Sequence, residues 1–299
     1  MSTIRRREFL GKAAGVLGSA LAPAAFGEPP IAAPASRPTS APAKLKAGDV
    51  ITLGRTGIKA SRLAIGTGTE SGAEQRRLGI EGLVKLLRHG FDQGVRWWDV
   101  ADSYKTHPHV KAALKEMSRD EVTITSKTSA KDAGGIKADI ERFRREMGTD
   151  YIDIVLLHCM MDGDWPEKLK GARDALSEAK QKGLVRAVGC SCHTFDALQA
   201  AADSDWVDVD LARINPFAAV MDINRKDDVP QVLQILQRMH ERGTAVYGMK
   251  ILGAGTFKGN MIERSIRFIL QQKCVSAFVI GFSKAEDIDD IVRRIERVQ

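Results

Sequence analysis

Arg96-Trp97-Trp98-Asp99-Val100-Ala101-Asp102-Ser103-Tyr104 is the stretch from which the fold is read. Trp97 and Trp98, between Val95 and Val100, form a short apolar run bounded by Gly94 and by polar residues, the mark of a buried strand. Asp99 closes that strand, and Tyr104 follows in the next loop. A carboxylate at a buried strand end beside a phenol must be satisfied or used, so the pair is a candidate acid/base site. The plainer alternative is a turn-capping aspartate followed by a surface tyrosine. Partners at equivalent strand ends decide between them.

Strands of this kind recur along the chain. Apolar runs at 63–68, 95–101, 122–127, 152–158, 185–191, 208–214, 245–249 and 277–282 alternate with helix-like segments. The helices are expected near 80–93, 108–117, 136–147, 166–182, 194–202, 230–242, 260–272 and 284–298. Such alternation implies parallel strands joined by helical crossovers. Eight units in this length predict an α/β fold, a closed (β/α)8 TIM barrel, with catalytic side chains at the C-terminal ends of several strands. An open doubly wound sheet is the alternative, but Gly66-Thr67-Gly68 lacks the third glycine of a dinucleotide fingerprint. Ahead of the barrel, residues 50–60, with Gly54-Arg55-Thr56-Gly57 at their centre, read as an N-terminal β-hairpin.

The net charge of +7 is unevenly placed: residues 1–46 carry +5 of it and the rest of the chain +2. A nearly neutral domain argues against a nucleic-acid partner. Arg5-Arg6-Arg7-Glu8-Phe9-Leu10 followed by an Ala/Gly/Leu-rich run describes a secretory leader, and Arg6-Arg7-Glu8-Phe9-Leu10 resembles the twin-arginine export motif. The expected organisation is a signal peptide over 1–27, a Pro/Ala-rich disordered linker over 28–46 and the barrel over 47–299. Cleavage after Ala24 or after Ala35 fits the small residues there. The apolar run is short for a bilayer span, so no stable membrane insertion is expected after cleavage. The expected partner is the twin-arginine export machinery, and the expected location is the periplasm or another exported compartment.

Two further strands end in chemistry. Val122-Thr123-Ile124-Thr125-Ser126-Lys127 ends in a lysine, and Ile152-Asp153-Ile154-Val155-Leu156-Leu157-His158 in a histidine. Singly, a snorkelling lysine and a core histidine are the bland accounts. Together the roles interlock. An ammonium beside a phenol lowers its pKa, Asp99 holds the ammonium charged, and a histidine orients a carbonyl by a hydrogen bond.

In these residues the chain resembles the aldo-keto reductases, from Leu53 to about Ile288. Asp99-Val100-Ala101-Asp102-Ser103-Tyr104 is similar to that family's Asp–Thr–Ala–x–x–Tyr motif, with Val for Thr. Ser126-Lys127-Thr128 and Asp153 through His158 resemble its lysine and histidine segments. The resemblance implies reduction of small aldehydes or ketones, or oxidation of the alcohols, with Tyr104 as general acid, Lys127 and Asp99 as its tuners and His158 as the orienting group. It also implies a nicotinamide cofactor held by Ser191, Cys192, Asn215, Tyr247, Gly281, Ser283 and Lys284. Cys192 stands where the family has Asn, Leu211 where it has Gln, and Asp287 where it has the arginine for a 2′-phosphate. With Lys284 as a substitute, NADP(H) is slightly favoured over NAD(H).

The four cysteines, Cys159, Cys190, Cys192 and Cys274, form no Cys-x-x-Cys pair. A metal site around His158-Cys159 and Cys190-Ser191-Cys192-His193 is argued against by strand alternation, which turns His158 and Cys159 to opposite sides, so no metal is expected. A Cys159–Cys190 disulfide is open in an exported protein. Two functions follow: an exported carbonyl oxidoreductase, or a binding or sensory module of the same fold that holds cofactor with little turnover. Few long loops are apparent, which implies an open, shallow site.

Overall fold

The computed structural model describes residues 44–223 and 225–298. The expected leader and most of the expected linker lie outside the described residues.

The hairpin is β1 (Val50–Thr52) and β2 (Lys59–Ser61), paired antiparallel. The barrel strands are β3 (Leu63–Gly66), β4 (Trp97–Asp99), β5 (Thr123–Thr128), β6 (Ile152–Met160), β7 (Val185–Cys192), β8 (Val209–Arg213), β9 (Ala245–Met249) and β10 (Ala277–Gly281). They are all parallel and close in the order β10-β3-β4-β5-β6-β7-β8-β9. The helices are α1 (Ala73–Arg77), α2 (Gly79–Asp92), α3 (His107–Ala113), α4 (Ala133–Met147), α5 (Trp165–Lys168), α6 (Lys170–Gln181), α7 (Phe195–Asp203), α8 (Val229–Glu241), α9 (Asn260–Gln271) and α10 (Ala285–Arg297). Among the described residues no helix is long and apolar enough to cross a membrane.

Strand alternation divides the core into two layers. Outward side chains such as Trp98, Ile124, Val155 and Cys190 pack under the helices. Inward ones such as Ala64, Trp97, Ile154, Leu156, Val209 and Tyr247 fill the barrel. Leu53 and Ile58 of the hairpin join the inner cluster and are fully buried. Arg55 N donates to Gly243 O at 2.7 Å, and Thr123 Oγ1 to Lys59 O at 2.8 Å, so the hairpin closes the N-terminal end. The opposite end is the one left to a ligand.

The barrel and its hairpin match the reading of the sequence, with local departures. The helix expected over 166–182 breaks at Leu169 into α5 and α6. The one expected over 108–117 stops at Ala113. The strand expected over 95–101 is only three residues long.

Candidate active site

Asp99 ends β4 and Lys127 lies near the end of β5, one strand over. Lys127 Nζ donates to Asp99 Oδ1 at 2.5 Å and to Val100 O at 2.9 Å, and it lies 5.0 Å from the centroid of the Tyr104 ring. Asp99 Oδ2 is filled from below by Tyr247 OH at 2.8 Å. Both charged groups are buried, which is tolerable only because each is paired. Burial alone would push the Lys127 ammonium down, but Asp99 and Tyr104 together outweigh it and hold the pKa above the usual lysine value.

Tyr104 sits in the 3-10 turn after β4. A Cβ added at Gly68 would lie 2.6 Å from its Cζ and 2.9 Å from its hydroxyl, so the glycine makes room for the phenol at the mouth. Lys127 acts on Tyr104 in the direction expected from the sequence, lowering its pKa. Burial acts more strongly the other way, and the phenol ends above its ordinary value. It is therefore a protonated donor at neutral pH. His158 meets the Tyr104 ring edge-on, with centroids 5.7 Å apart. Burial, then the charge of Lys127, then His193 bring its pKa down to about 3, so the imidazole is neutral. A neutral imidazole keeps one N–H to donate.

The alternation argument about β6 fails at its end. The ladder with β7 shifts register between Leu157 and Met160, and Cys159 has a left-handed φ of 63°. This irregularity leaves His158 and Cys159 both partly exposed at the mouth. Cys159 Sγ lies 3.0 Å from His193 Nδ1, which also meets the Arg213 guanidinium. All four cysteines are free, and Cys190 lies on the outer face, away from Cys159.

The residues assigned to a cofactor divide into two groups. Ser191 lies between the outward-facing Cys190 and Cys192, and its Oγ accepts from Cys159 N at 3.0 Å, at the mouth. Gly281, Ser283 and Lys284 form the loop from β10 into α10. A Cβ at Gly281 would reach Thr69 Oγ1 at 2.2 Å, so the glycine brings two loops together. α10 opens without a side-chain cap, leaving backbone N–H groups suited to a phosphate. Ser283 Oγ donates to Glu74 Oε1 at 2.6 Å.

The other three are not brought to the mouth. Cys192 is fully buried on the helical side of β7, because Ser191 beside it takes the inward position. Asn215 spends its whole amide on the backbone: Nδ2 donates to Ala219 O and Lys250 O, and Oδ1 accepts from Phe217 N and Ala219 N. Tyr247 is 0% exposed, its ring 4.6 Å from that of Trp97, so no face is free to stack on a nicotinamide. Its hydroxyl serves Asp99 instead. Met249, two residues on and partly exposed, is the residue that ends the strand. The residues present therefore fit a nicotinamide cofactor at the start of α10 and at Ser191, and not at Cys192, Asn215 or Tyr247.

Sequence reasoning gave Arg213 and Lys250 no role and weighed His193 only as a metal ligand. Each follows or ends a barrel strand, the same signal that singled out Lys127 and His158. Burial and the neighbouring cations Arg213, Lys250 and Lys127 bring His193 to about 4. Lys250, at φ 62°, is lowered by burial and by Arg213. The mouth thus combines neutral imidazoles with Lys250, while Lys127 and Arg213 each stand against a carboxylate, Asp99 and Asp222.

A barrel of eight parallel strands with Asp, Tyr, Lys and His at its C-terminal ends defines a class, and the comparisons place the chain in it. The profile of the Aldo/keto reductase family matches residues 62–265, and the chain belongs to that family. Aldo-keto reductase YhdN of Bacillus subtilis is 29% identical over 164 residues, covering 48% of this chain and 46% of that protein. Methylglyoxal reductase DkgB of Salmonella typhi is 26% identical over 148 residues, covering 47% and 55%. The chain thus spans about half the length of the curated relatives it matches. Among solved structures, aldo-keto reductase AKR11C1 from Bacillus halodurans superposes with a TM-score of 0.68 at 17% identity, over 83% of this chain and 90% of that one. This last likeness carries the fold alone.

Proposed function

We propose that this chain is a nicotinamide-dependent oxidoreductase that reduces small aldehydes or ketones, or oxidises the corresponding alcohols. The observation that carries the reading is Lys127, held by Asp99 and set beside Tyr104, with the neutral His158 across the mouth. When bound, the cofactor supplies the hydride. The chain's residues do the rest. His158 donates an N–H to the carbonyl oxygen and fixes its position. Tyr104 passes its hydroxyl proton to that oxygen as negative charge develops on it. Lys127 stabilises the phenolate left behind, and Asp99, gripped by Tyr247, keeps the ammonium in place. Ser191, the uncapped start of α10 and Lys284 are the groups assigned to the cofactor. NADP(H) over NAD(H) rests on Lys284 against Glu286 and Asp287 of the same helix start.

We further propose that residues 1–27 are an export signal of twin-arginine type, that 28–46 are a linker and 47–299 the working barrel, and that the protein acts in the periplasm. The twin-arginine-type leader favours a second reading, a module that holds cofactor with little turnover, because the export side of the membrane has no obvious supply of free nicotinamide cofactor. One experiment separates these ideas: NADPH and NADH oxidation by a generic aldehyde, assayed in periplasmic and cytoplasmic fractions of cells making the chain or its Arg6→Lys/Arg7→Lys variant. Aldehyde-dependent turnover in the periplasm, lost from that fraction in the variant, supports both proposals. Binding without turnover would favour the module, and activity confined to the cytoplasm would end the export proposal.

A further inference from the structure

On the far side of β7 from the mouth, Cys190 and Cys192 meet Asp210 of the neighbouring strand β8. All three are 0% exposed. Their ligand atoms form a compact triangle. The two Sγ atoms are 3.8 Å apart, and Asp210 Oδ1 lies 3.5 Å from Cys190 Sγ and 3.7 Å from Cys192 Sγ. A tetrahedral zinc ion with Zn–S of about 2.3 Å and Zn–O of about 2.0–2.2 Å needs edges of about 3.8 Å between sulfurs and about 3.5 Å from sulfur to oxygen. The metal-free triangle already has that size.

Thiols donating to a carboxylate account for one oxygen of Asp210 and not the other. Asp210 Oδ2 is buried without a hydrogen-bond partner, an arrangement that costs free energy unless something else is bound there. A second carboxylate adds to the imbalance. Asp222, whose side chain is 1% exposed, has both oxygens buried without hydrogen bonds, and its charge reaches Asp210 and Cys192. Arg213 Nη1 stands 3.6 Å from one of these oxygens, beyond hydrogen-bonding reach. Two thiols and a carboxyl group with an orphaned oxygen in one buried place form a donor set suited to a thiophilic cation.

We propose that Cys190, Cys192 and Asp210 bind a thiophilic divalent cation of the zinc class. On binding, the two thiol protons leave to solvent and two S–Zn bonds and one O–Zn bond form, with no change of oxidation state. The role is structural, since the ligands face away from Tyr104 and His158. The ion would tie β7 to β8 directly behind Ser191, the residue whose hydroxyl holds Cys159 N at the mouth. It would also replace the contact of Cys192 Sγ with Ala197 O of α7, now 3.4 Å.

The test uses the full chain, stripped with chelator and titrated with Zn2+ or with Co2+ as a spectroscopic probe. The expected result is one Zn2+ retained per chain, and a Co2+ spectrum with tetrahedral bands and a thiolate charge-transfer band. That band should be lost in Cys192→Ser and in Asp210→Asn and kept in Cys159→Ser. Should the first two variants fail to fold, pulsed alkylation of the wild-type chain in urea near its unfolding midpoint decides, because both thiols are buried in the folded chain; Zn2+ is expected to slow labelling of Cys190 and Cys192 specifically. No metal retained, no thiolate band, protection at other cysteines, or a band that disappears with Cys159 would each overturn the proposal.

Discussion

Asp153 and His158 stand on one strand, β6, at opposite ends of the barrel, and they are treated in opposite ways. Asp153, 1% exposed at the closed end, accepts from Arg119 Nη2 at 2.7 Å, Arg186 Nη1 at 2.7 Å and Ile124 N at 2.9 Å. Both of its oxygens are used within the fold. His158, at the open end, makes no side-chain hydrogen bond among the described residues and is held neutral by burial and neighbouring charge. A closed circuit of polar groups fixes a structure, whereas a group left with free hydrogen-bonding capacity can serve a ligand. The same rule separates Asp99, filled by Lys127 and Tyr247, from the Lys127–Tyr104 contact above it, where the hydroxyl proton is available to a substrate.

The contrast is breakable, beginning with its largest effect. Asp153→Ala leaves two arginines without their buried carboxylate and should cost about 3–5 kcal/mol of stability, read from urea unfolding. Turnover by the molecules that remain folded should change little; a stable variant with lost activity would reverse the assignment of the two ends. At the open end, Gly68→Ala drives a methyl into the Tyr104 ring. Displacing the phenol by a fraction of an ångström should lower kcat roughly 10- to 100-fold, with unfolding midpoints nearly unchanged. An unaltered kcat would mean that Tyr104 does not work from the position described here.

A third effect is in the response to acid. His158 binds a proton below about 3 in the folded chain, against an ordinary value of 6.5. The unfolded chain takes up the proton first as pH falls. The contribution is therefore fully present above 6.5 and is lost between 6.5 and about 3. In His158→Gln, the plot of stability against pH should be flatter over that window, by on the order of a few kcal/mol at most. Identical slopes in the two proteins would show that His158 is open to solvent and unshifted.

The chain's alternation made the barrel legible before any coordinates, because eight apolar runs at regular spacing admit few parallel arrangements. That Asp99, Tyr104, Lys127 and His158 come together was legible for the same reason: each stands near, or in the loop after, the C-terminal end of a strand. What the sequence concealed was side-chain direction. Ser191 and Cys192 are adjacent, so only one could face the mouth, a constraint that was present but unused. Tyr247 lies two residues short of the strand end and goes to the barrel interior. The register shift of β6 at Cys159 reverses the expected parity, and a positive φ at a non-glycine residue leaves no mark in a sequence. Asn215 is polar like a ligand-binding residue, yet its amide staples its own loop.

The most direct test of the account is the single-turnover rate of carbonyl reduction by cofactor-saturated wild-type chain and Tyr104→Phe. The account predicts that removing the hydroxyl lowers this rate by at least about a thousandfold, while cofactor affinity stays within about twofold. A Tyr104→Phe chain that reduces the carbonyl at the wild-type rate would contradict it, and the proton would have to come from elsewhere at the mouth.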